Sequence, residues 1–449
     1  MPLMRLIAEN VGPFERLDID FSDGNGKPHL GPHILAGVNG SGKSTVLRAI
    51  AWAMSSGRRD GFPEDEWRHF LWSRTSRVLV QMTSGPDLLA INAAGADTAA
   101  GWEVRLKEWA RSLQADGEFG LLQSLGANVG ERMVGGRSRI PDIRPMVAAY
   151  APARALSFVG APAEMEPLKW PRHECLAFES TVQNRAIQRW LVDLFSRRAL
   201  AKERGQQFDS YEQTLTRFQE ALKLVCDDTE VRLEVELGPI LEPRLNFHGK
   251  KLNFSQLSDG IRTTIGWLAD FMMRQDQTAA TAGVLLLDEI DIYLHPRLQR
   301  TLLPAMRRAL PDVQIIASSH SPFVISSCRD ARIHVLTLDE RGVAHACPPQ
   351  AAPFGESVTA TLKDIFGVES RFDVQTEADL KVWDNLKREE TVGKLTEAKR
   401  RQLETLSREL SERSEELRLI VKSPSALPAK VLNSLTGHYA RKPRNAKLG

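Results

Sequence analysis

Gly37-Val38-Asn39-Gly40-Ser41-Gly42-Lys43-Ser44-Thr45 stands between a short apolar stretch, His33 to Ala36, and a helical pattern running from Ser44 to Met54. This is a G-x-x-x-x-G-K-[ST] loop in the strand–loop–helix setting that its chemistry requires. Gly37, Gly40 and Gly42 let the backbone curl until its N–H groups face a phosphate chain with no side chain between. Asn39, Ser41 and Thr45 complete the loop, and the helix N-terminus adds the positive end of its dipole. Lys43 has the reach for the β- and γ-phosphates of a nucleoside triphosphate, and the Ser44 hydroxyl is placed to ligate Mg²⁺. The competing reading, a glycine-rich turn that happens to precede a helix, is disfavoured by that context.

Val284-Leu285-Leu286-Leu287-Asp288-Glu289 is an apolar run ending in two carboxylates. A buried strand would deliver Asp288 to its C-terminal end, as a second holder of the metal. Glu289 is the candidate to polarise the attacking water, as general base or orienting group. Alone, such a run often marks only the start of a helix, so its neighbours matter. Leu257-Ser258-Asp259-Gly260-Ile261 opens a helical pattern thirty residues before Asp288. Ser318-Ser319-His320-Ser321-Pro322 follows the strand pattern Val313–Ala317, and Asp291-Ile292-Tyr293-Leu294-His295-Pro296 lies between. Five motifs in this order are not a chance match.

Outward from the motifs, Leu17, Ile19 and Phe21 alternate with Asp18 and Asp20 after a turn read at Glu9–Gly12, which predicts a hairpin-like entry. Residues 77–83, 89–93 and 102–106 read as strands of an antiparallel layer, and 146–150 as another buried strand. The stretch 117–136 is rich in glycine and reads as a flexible surface segment. From Gln183 to Val225 the period turns helical, with Ile187, Trp190, Leu191, Leu194 and Phe195 on one face and Leu215, Phe218, Leu222 and Val225 on another. Strand patterns return at 231–235, 243–247, 283–287, 313–317 and 332–337. A helical region follows Pro349 and ends in one long helix, about 396–420, with Leu403, Leu406, Leu410 and Leu417 at heptad-like spacing. Residues 421–449 carry Lys422, Lys430, Arg441, Lys442, Arg444 and Lys447 and no acid.

The expected fold is therefore α/β: a mixed sheet flanked by helices, an antiparallel β layer, a helical insertion and a mostly helical C-terminal region. Its parts are 1–182 with the phosphate loop, the insertion 183–228, 229–348 with the remaining motifs, a helical region 349–425 and a basic tail 426–449. Over 449 residues, 42% hydrophobic and 26% charged residues with a formal net charge of +2 describe an ordinary globular chain with no global pull toward nucleic acid. Arg197, Arg198, Lys202 and Arg204 are the local candidates for DNA phosphates, although a solvated helix face is the more frequent explanation of such a cluster. No apolar run reaches bilayer length, and MPLMRLIAEN lacks a secretory core. Cys175, Cys226, Cys328 and Cys347 stand too far apart for a metal or disulfide framework. A cytoplasmic protein with no membrane partner is expected.

Together the motifs resemble those of ABC ATPases of the RecF/SMC-like branch. Leu257–Ile261 is similar to that family's LSGGQ signature, departing from it at Asp259 and Ile261. His320 stands where the family carries a switch histidine, and Asp291–Pro296 occupies the D-loop position in its Leu294-His295-Pro296 form. The entry ENVGPF…LDIDF at 9–21 resembles the RecF-like opening hairpin, and the interval from Lys43 to Asp288 is longer than a transporter domain needs. The resemblance implies ATP and Mg²⁺ as cofactors, Mg²⁺ held by Ser44 and Asp288, and catalysis by Glu289 with His320 sensing the γ-phosphate. It also implies a homodimer or higher oligomer in which Ser258, Asp259 and Gly260 of one copy cap the ATP bound by the other. One family position has no counterpart: Gln81 lies on an early strand, and Tyr150-Ala151-Pro152-Ala153-Arg154 holds no Q-loop glutamine.

Phe354–Arg371 resembles a segment that follows the core in ATPases of Septu anti-phage systems and their retron relatives, which act with a separate HNH nuclease. Residues after 340 lack the paired acidic motifs of a Toprim centre, so no nuclease centre is expected on this chain. The implied function is a Mg-dependent ATPase that dimerises around ATP and controls a partner effector, such as an HNH nuclease, in anti-phage defence. The alternative is a RecF-like DNA-maintenance ATPase that clamps or loads on DNA. A transporter subunit is disfavoured by the long insertion and the altered signature.

Overall fold

The computed structural model describes residues 2–54, 77–84, 87–94, 120–125, 129–133, 146–151, 155–156, 181–182, 184–238, 241–278, 282–368 and 372–422. The chain divides into two compact units, Met1–Glu356 and Ser357–Gly449.

The first unit opens with an antiparallel hairpin, Leu3–Val11 (β1) and Phe14–Asp20 (β2). Strand alternation buries Leu17 and Ile19 and leaves Asp18 and Asp20 exposed. The turn differs from the Glu9–Gly12 expectation: β1 runs on to Val11, and the reversal falls at Gly12, at φ +53°, and Pro13. His33–Gly37 (β3) leads into the helix Lys43–Met54 (α1). Arg77–Ser84 (β4), Asp87–Ala94 (β5), Gly120–Leu125 (β6) and Val129–Met133 (β7) extend the hairpin into a sheet of order β2-β1-β4-β5-β6-β7. This layer is antiparallel except between β5 and β6, which run parallel. β6 and β7 correct the reading of 117–136 as a flexible surface segment. Ladder pairing, of β6 with β5 and of β7 with β6, satisfies their backbone and outweighs the entropy that glycine brings to the stretch. The strand expected at 102–106 lies outside the described residues.

Val147–Tyr150 (β8) and the short parallel pair Ala155–Leu156 (β9) and Thr181–Val182 (β10) precede the insertion. The insertion is two helices, Asn184–Glu203 (α2) and Asp209–Cys226 (α3), whose buried residues include Ile187, Trp190, Leu191 and Leu194 and Leu215, Phe218, Leu222 and Val225. A small antiparallel sheet follows: Arg232–Glu236 (β11), Glu242–Phe247 (β12) and Lys250–Leu252 (β13). The unit is completed by Asp259–Thr278 (α4), Gly283–Leu287 (β14), Pro296–Ala309 (α5), Val313–Ser318 (β15), Pro322–Ile325 (α6), Arg332–Leu338 (β16), Ala344–Ala346 (β17) and Gln350–Ala351 (β18).

These strands form the second large sheet, of order β17-β16-β3-β15-β14-β8, with β18 also on β16. β16, β3, β15, β14 and β8 run parallel, while β17 and β18 are antiparallel to β16. Every residue of β3, β14 and β15 is buried, as strands covered on both faces must be, and this is why they read as unbroken apolar runs. Two buried histidines meet in this sheet, His33 Nδ1 lying 3.0 Å from His334 Nε2. His33 Nε2 lies 3.1 Å from His29 O, and a carbonyl can only accept. His33 therefore carries its proton on Nε2, and His334 Nε2 donates to it.

The second unit contains Val358–Phe366 (α7), Val374–Thr391 (α8), Glu397–Arg413 (α9) and Glu415–Val421 (α10). Its core is Leu380, Trp383, Leu386, Leu403, Leu410 and Leu417. The single helix expected at 396–420 is two helices, because Ser414 adopts extended backbone (φ −159°, ψ 160°) and its hydroxyl caps α10 by accepting from Leu417 N at 3.1 Å.

Candidate active site

Because β3, β14 and β15 are parallel neighbours, the loops after Gly37, Leu287 and Ser318 leave the sheet at one edge. The first bends through Gly37 (φ +150°), Gly40 (+81°) and Gly42 (+92°). Neighbours forbid side chains at two of these. A Cβ on Gly37 would stand 2.3 Å from Leu336 O, and one on Gly42 would stand 2.5 Å from Phe14 Cε2. The hairpin turn presses back in the same way, since a Cβ on Gly12 would stand 2.7 Å from Thr45 Cγ2. Inside the loop, Lys43 Nζ donates to Gly37 O and Val38 O, each at 3.0 Å. Burial lowers the pKa of this ammonium, and Asp288, Glu289 and Asp291 pull it back up. Ser41 Oγ is buried without a partner.

β14 leads directly into Asp288, which is buried, and the Asp288 backbone N–H donates to Tyr150 O at 3.0 Å. Its Oδ1 accepts from Ser44 Oγ at 3.0 Å and from Ser318 Oγ at 2.6 Å. Ser318 Oγ in turn accepts from Glu289 N at 2.7 Å, so one serine ties the ends of β14 and β15 together. Glu289 sits in the left-handed region at φ +46°. Burial pushes its carboxyl above the ordinary range, Asp288 and Asp291 add to this, and Lys43 opposes it. His320 follows β15, and its backbone N–H donates to Asp291 Oδ1 at 3.3 Å. Its imidazole is held below the ordinary value by burial and then by Lys43, against the pull of Asp291 and Asp288.

This arrangement fits a magnesium–nucleotide complex. The positive-φ glycines leave a cradle that a Cβ would fill, Ser41 Oγ is an orphaned donor within it, and Lys43 supplies a desolvated cation. Ser44 and Asp288 offer the hard oxygen donors that Mg²⁺ takes alongside phosphate oxygens. Bound there, the metal would neutralise phosphate charge. Among the described residues, no cluster of three or more His, Cys, Asp or Glu side chains could hold a metal.

Lys43, Ser44, Asp288, Glu289 and His320 thus converge, and Asn39, Gly40 and Thr45 lie on the same loop. Ser258, Asp259 and Gly260 have other neighbours. Ser258 and Asp259 are exposed at the start of α4, and Asp259 pairs with Arg262. Gly260 is buried against the loop after β14, where a Cβ would stand 2.3 Å from Tyr293 O. Ser318 and Asp291 are site residues that sequence reasoning missed, although both fall inside its motifs. Tyr150 and Asp270, joined by a 2.5 Å hydrogen bond, give no motif signal at all. Of the basic residues considered for DNA, Arg197 pairs with Asp193, and Arg198 pairs with Glu212 and stacks on Phe195.

Fold and site together are similar to those of ABC-type P-loop ATPases of the RecF/SMC-like kind. Residues 148–326 match a family described as "AAA domain, putative AbiEii toxin, Type IV TA system", and residues 5–78 match one described as "AAA domain". Among curated proteins the chain is similar to the retron Vc95 probable ATPase of Vibrio cholerae, 28% identical over 152 residues, which is 32% of this chain and 29% of that protein. It is also similar to the Septu protein PtuA of Bacillus mycoides, 27% identical over 147 residues, covering 32% of this chain and 20% of that one. The chain spans under a third of the length of these relatives. An SMC head bound to the C-terminal winged-helix domain of ScpA aligns over 79% of this chain and 98% of its own, at a TM-score of 0.45 and 14% identity. Among the described residues, no helix is long and apolar enough to cross a membrane.

Proposed function

We propose that two copies of this chain close around Mg–ATP, hydrolyse it, and use that closure to control a separate effector in anti-phage defence. The observation that carries the reading is the split of the motifs. One set gathers at the edge of the parallel sheet, while Ser258 and Asp259 stand exposed at the head of α4. In this reading Lys43 binds the β- and γ-phosphates, Ser44 and Asp288 hold the metal, and Ser258 and Gly260 of the second copy cover the γ-phosphate. Glu289, its carboxyl raised by burial, accepts a proton from the attacking water or orients it. His320 contacts the γ-phosphate and registers its loss. The similarity to retron and Septu proteins supports the defence setting. The self-paired arginines of α2 weaken the alternative, a DNA clamp.

Mixing tests the shared site. Lys43→Ala alone and Ser258→Arg alone should each be inactive, the second still binding ATP. Their mixture should recover up to one working composite site per dimer. A mixture that stays inactive while both variants fold and associate would remove the shared-site model.

A further inference from the structure

Tyr150 joins two parts of the site that no motif connects. It is the last residue of β8, paired with Leu287 of β14, and its carbonyl accepts from the backbone N–H of Asp288. Its position is therefore fixed beside the metal-holding carboxylate. Its hydroxyl donates at 2.5 Å to Oδ2 of Asp270, on the same helix that begins at Asp259. Arg274, one turn further on, donates Nε to Oδ2 at 2.5 Å and Nη2 to Oδ1 at 3.0 Å. Tyr150 is 5% exposed and Asp270 is 2% exposed.

A buried, ionic, three-member network is a poor way to gain stability, since apolar residues of the same volume serve as well or better. What it adds is direction. The rest of this helix packs through Ile265, Trp267, Leu268, Phe271 and Met272, all buried, and apolar contacts tolerate rotation and sliding. A hydroxyl–carboxylate bond does not. Asp270 lies eleven residues after Asp259, three turns on and nearly the same face, so the rotation fixed at one is inherited by the other across about 16 Å. A rotation of about 20° would move the helix surface by about 2 Å, enough to lose a hydrogen bond to a phosphate. The distal end of α4 is tied elsewhere, Trp190 Nε1 to Asp276 at 3.0 Å and Arg217 to Gln275 at 3.3 Å, both from the insertion.

We infer that Tyr150 is a positioning residue: through Asp270 it sets the rotation of α4 against the strand that leads into Asp288, and so aims Ser258 at the nucleotide held by the second copy. The inference rests on the shared-site reading, and one experiment separates the two. In the mixture of Lys43→Ala with Ser258→Arg chains, the working site takes its phosphate loop from the Ser258→Arg chain and its signature from the Lys43→Ala chain. Tyr150→Phe, which keeps the ring and its packing on Trp267, is placed on either chain. On the signature-giving chain it should lower hydrolysis at least tenfold; on the loop-giving chain, less than twofold. Asp270→Asn, which keeps the side-chain size, should show the same asymmetry, with melting curves confirming that each variant folds. Equal losses in the two placements, as a general weakening of the fold would give, or no loss in either, would overturn the inference. An inactive parental mixture would overturn the shared-site reading and this inference with it.

Discussion

With its ammonium on the carbonyls of Gly37 and Val38, Lys43 is poised on a loop that a phosphate chain would share. Charge-assisted hydrogen bonds are worth about 1.5–3 kcal/mol each, so Lys43→Ala should weaken binding of a labelled ATP analogue by about tenfold or more for every phosphate bond its ammonium makes. Equilibrium titration would check this, and unchanged affinity would remove the loop from the site. Glycines 37, 40 and 42 and the Lys43-Ser44 pair are legible in the sequence because a loop that turns through positive φ at three positions admits few alternatives. Ser318 is not, because a serine ending a strand looks the same whether or not its hydroxyl bridges Asp288 Oδ1 and Glu289 N. The histidine pair is also hidden, its members lying 301 residues apart. Burial depresses both imidazoles, His33 well below its usual value and His334 from 6.5 to about 4. Both stay neutral in the fold, whereas an unfolded chain binds the extra protons below about pH 6.5. Their contribution is therefore complete above that pH and is lost as pH falls toward 4, His334 alone accounting for about 3 kcal/mol. Urea melts at pH 7 and pH 4.5 should show the fall, and His334→Gln should flatten it.

At the scale of elements, what the sequence discloses depends on how many faces each one buries. β14 and β15 are covered on both sides and announce themselves as apolar runs. β6 and β7 do not, since their identity comes from ladder partners that composition cannot show. The leucine series after 396 reads as one helix because helical spacing continues through Ser414, and only its extended backbone breaks the run. The packing then separates leucines that the spacing treats alike: Leu410 is wholly buried in the core of its unit, while Leu406 is only partly buried against it. Leu410→Ala should cost about 2–5 kcal/mol, and Leu406→Ala less than half as much. Chemical denaturation would compare them, and equal losses would contradict this division.

The whole molecule becomes a machine only if closure and hydrolysis are separable, and Glu289 is where to separate them. Glu289→Gln keeps the side chain's size and reach but cannot take a proton. Ser44, Asp288 and Lys43 remain, so ATP should still bind while turnover falls by about 10²–10⁴-fold, the usual share of a general base. With the γ-phosphate retained, the closed pair should accumulate, visible as an ATP-dependent rise in light scattering. In cells, an effector controlled by closure would then be held in one state, giving either lost protection or constant toxicity. Wild-type turnover in this variant would show that another residue prepares the water.

Gly12 and Gly42 have a consequence for how such a chain can change. Phe14 leaves no room for a side chain on Gly42, and Thr45 leaves none on Gly12. Hairpin turn and phosphate loop therefore veto each other's substitutions, although thirty residues separate Gly12 from Gly42. A descendant that enlarged one surface would have to hollow the other in the same step. The opening turn is inherited as part of the glycine-rich loop's own alphabet.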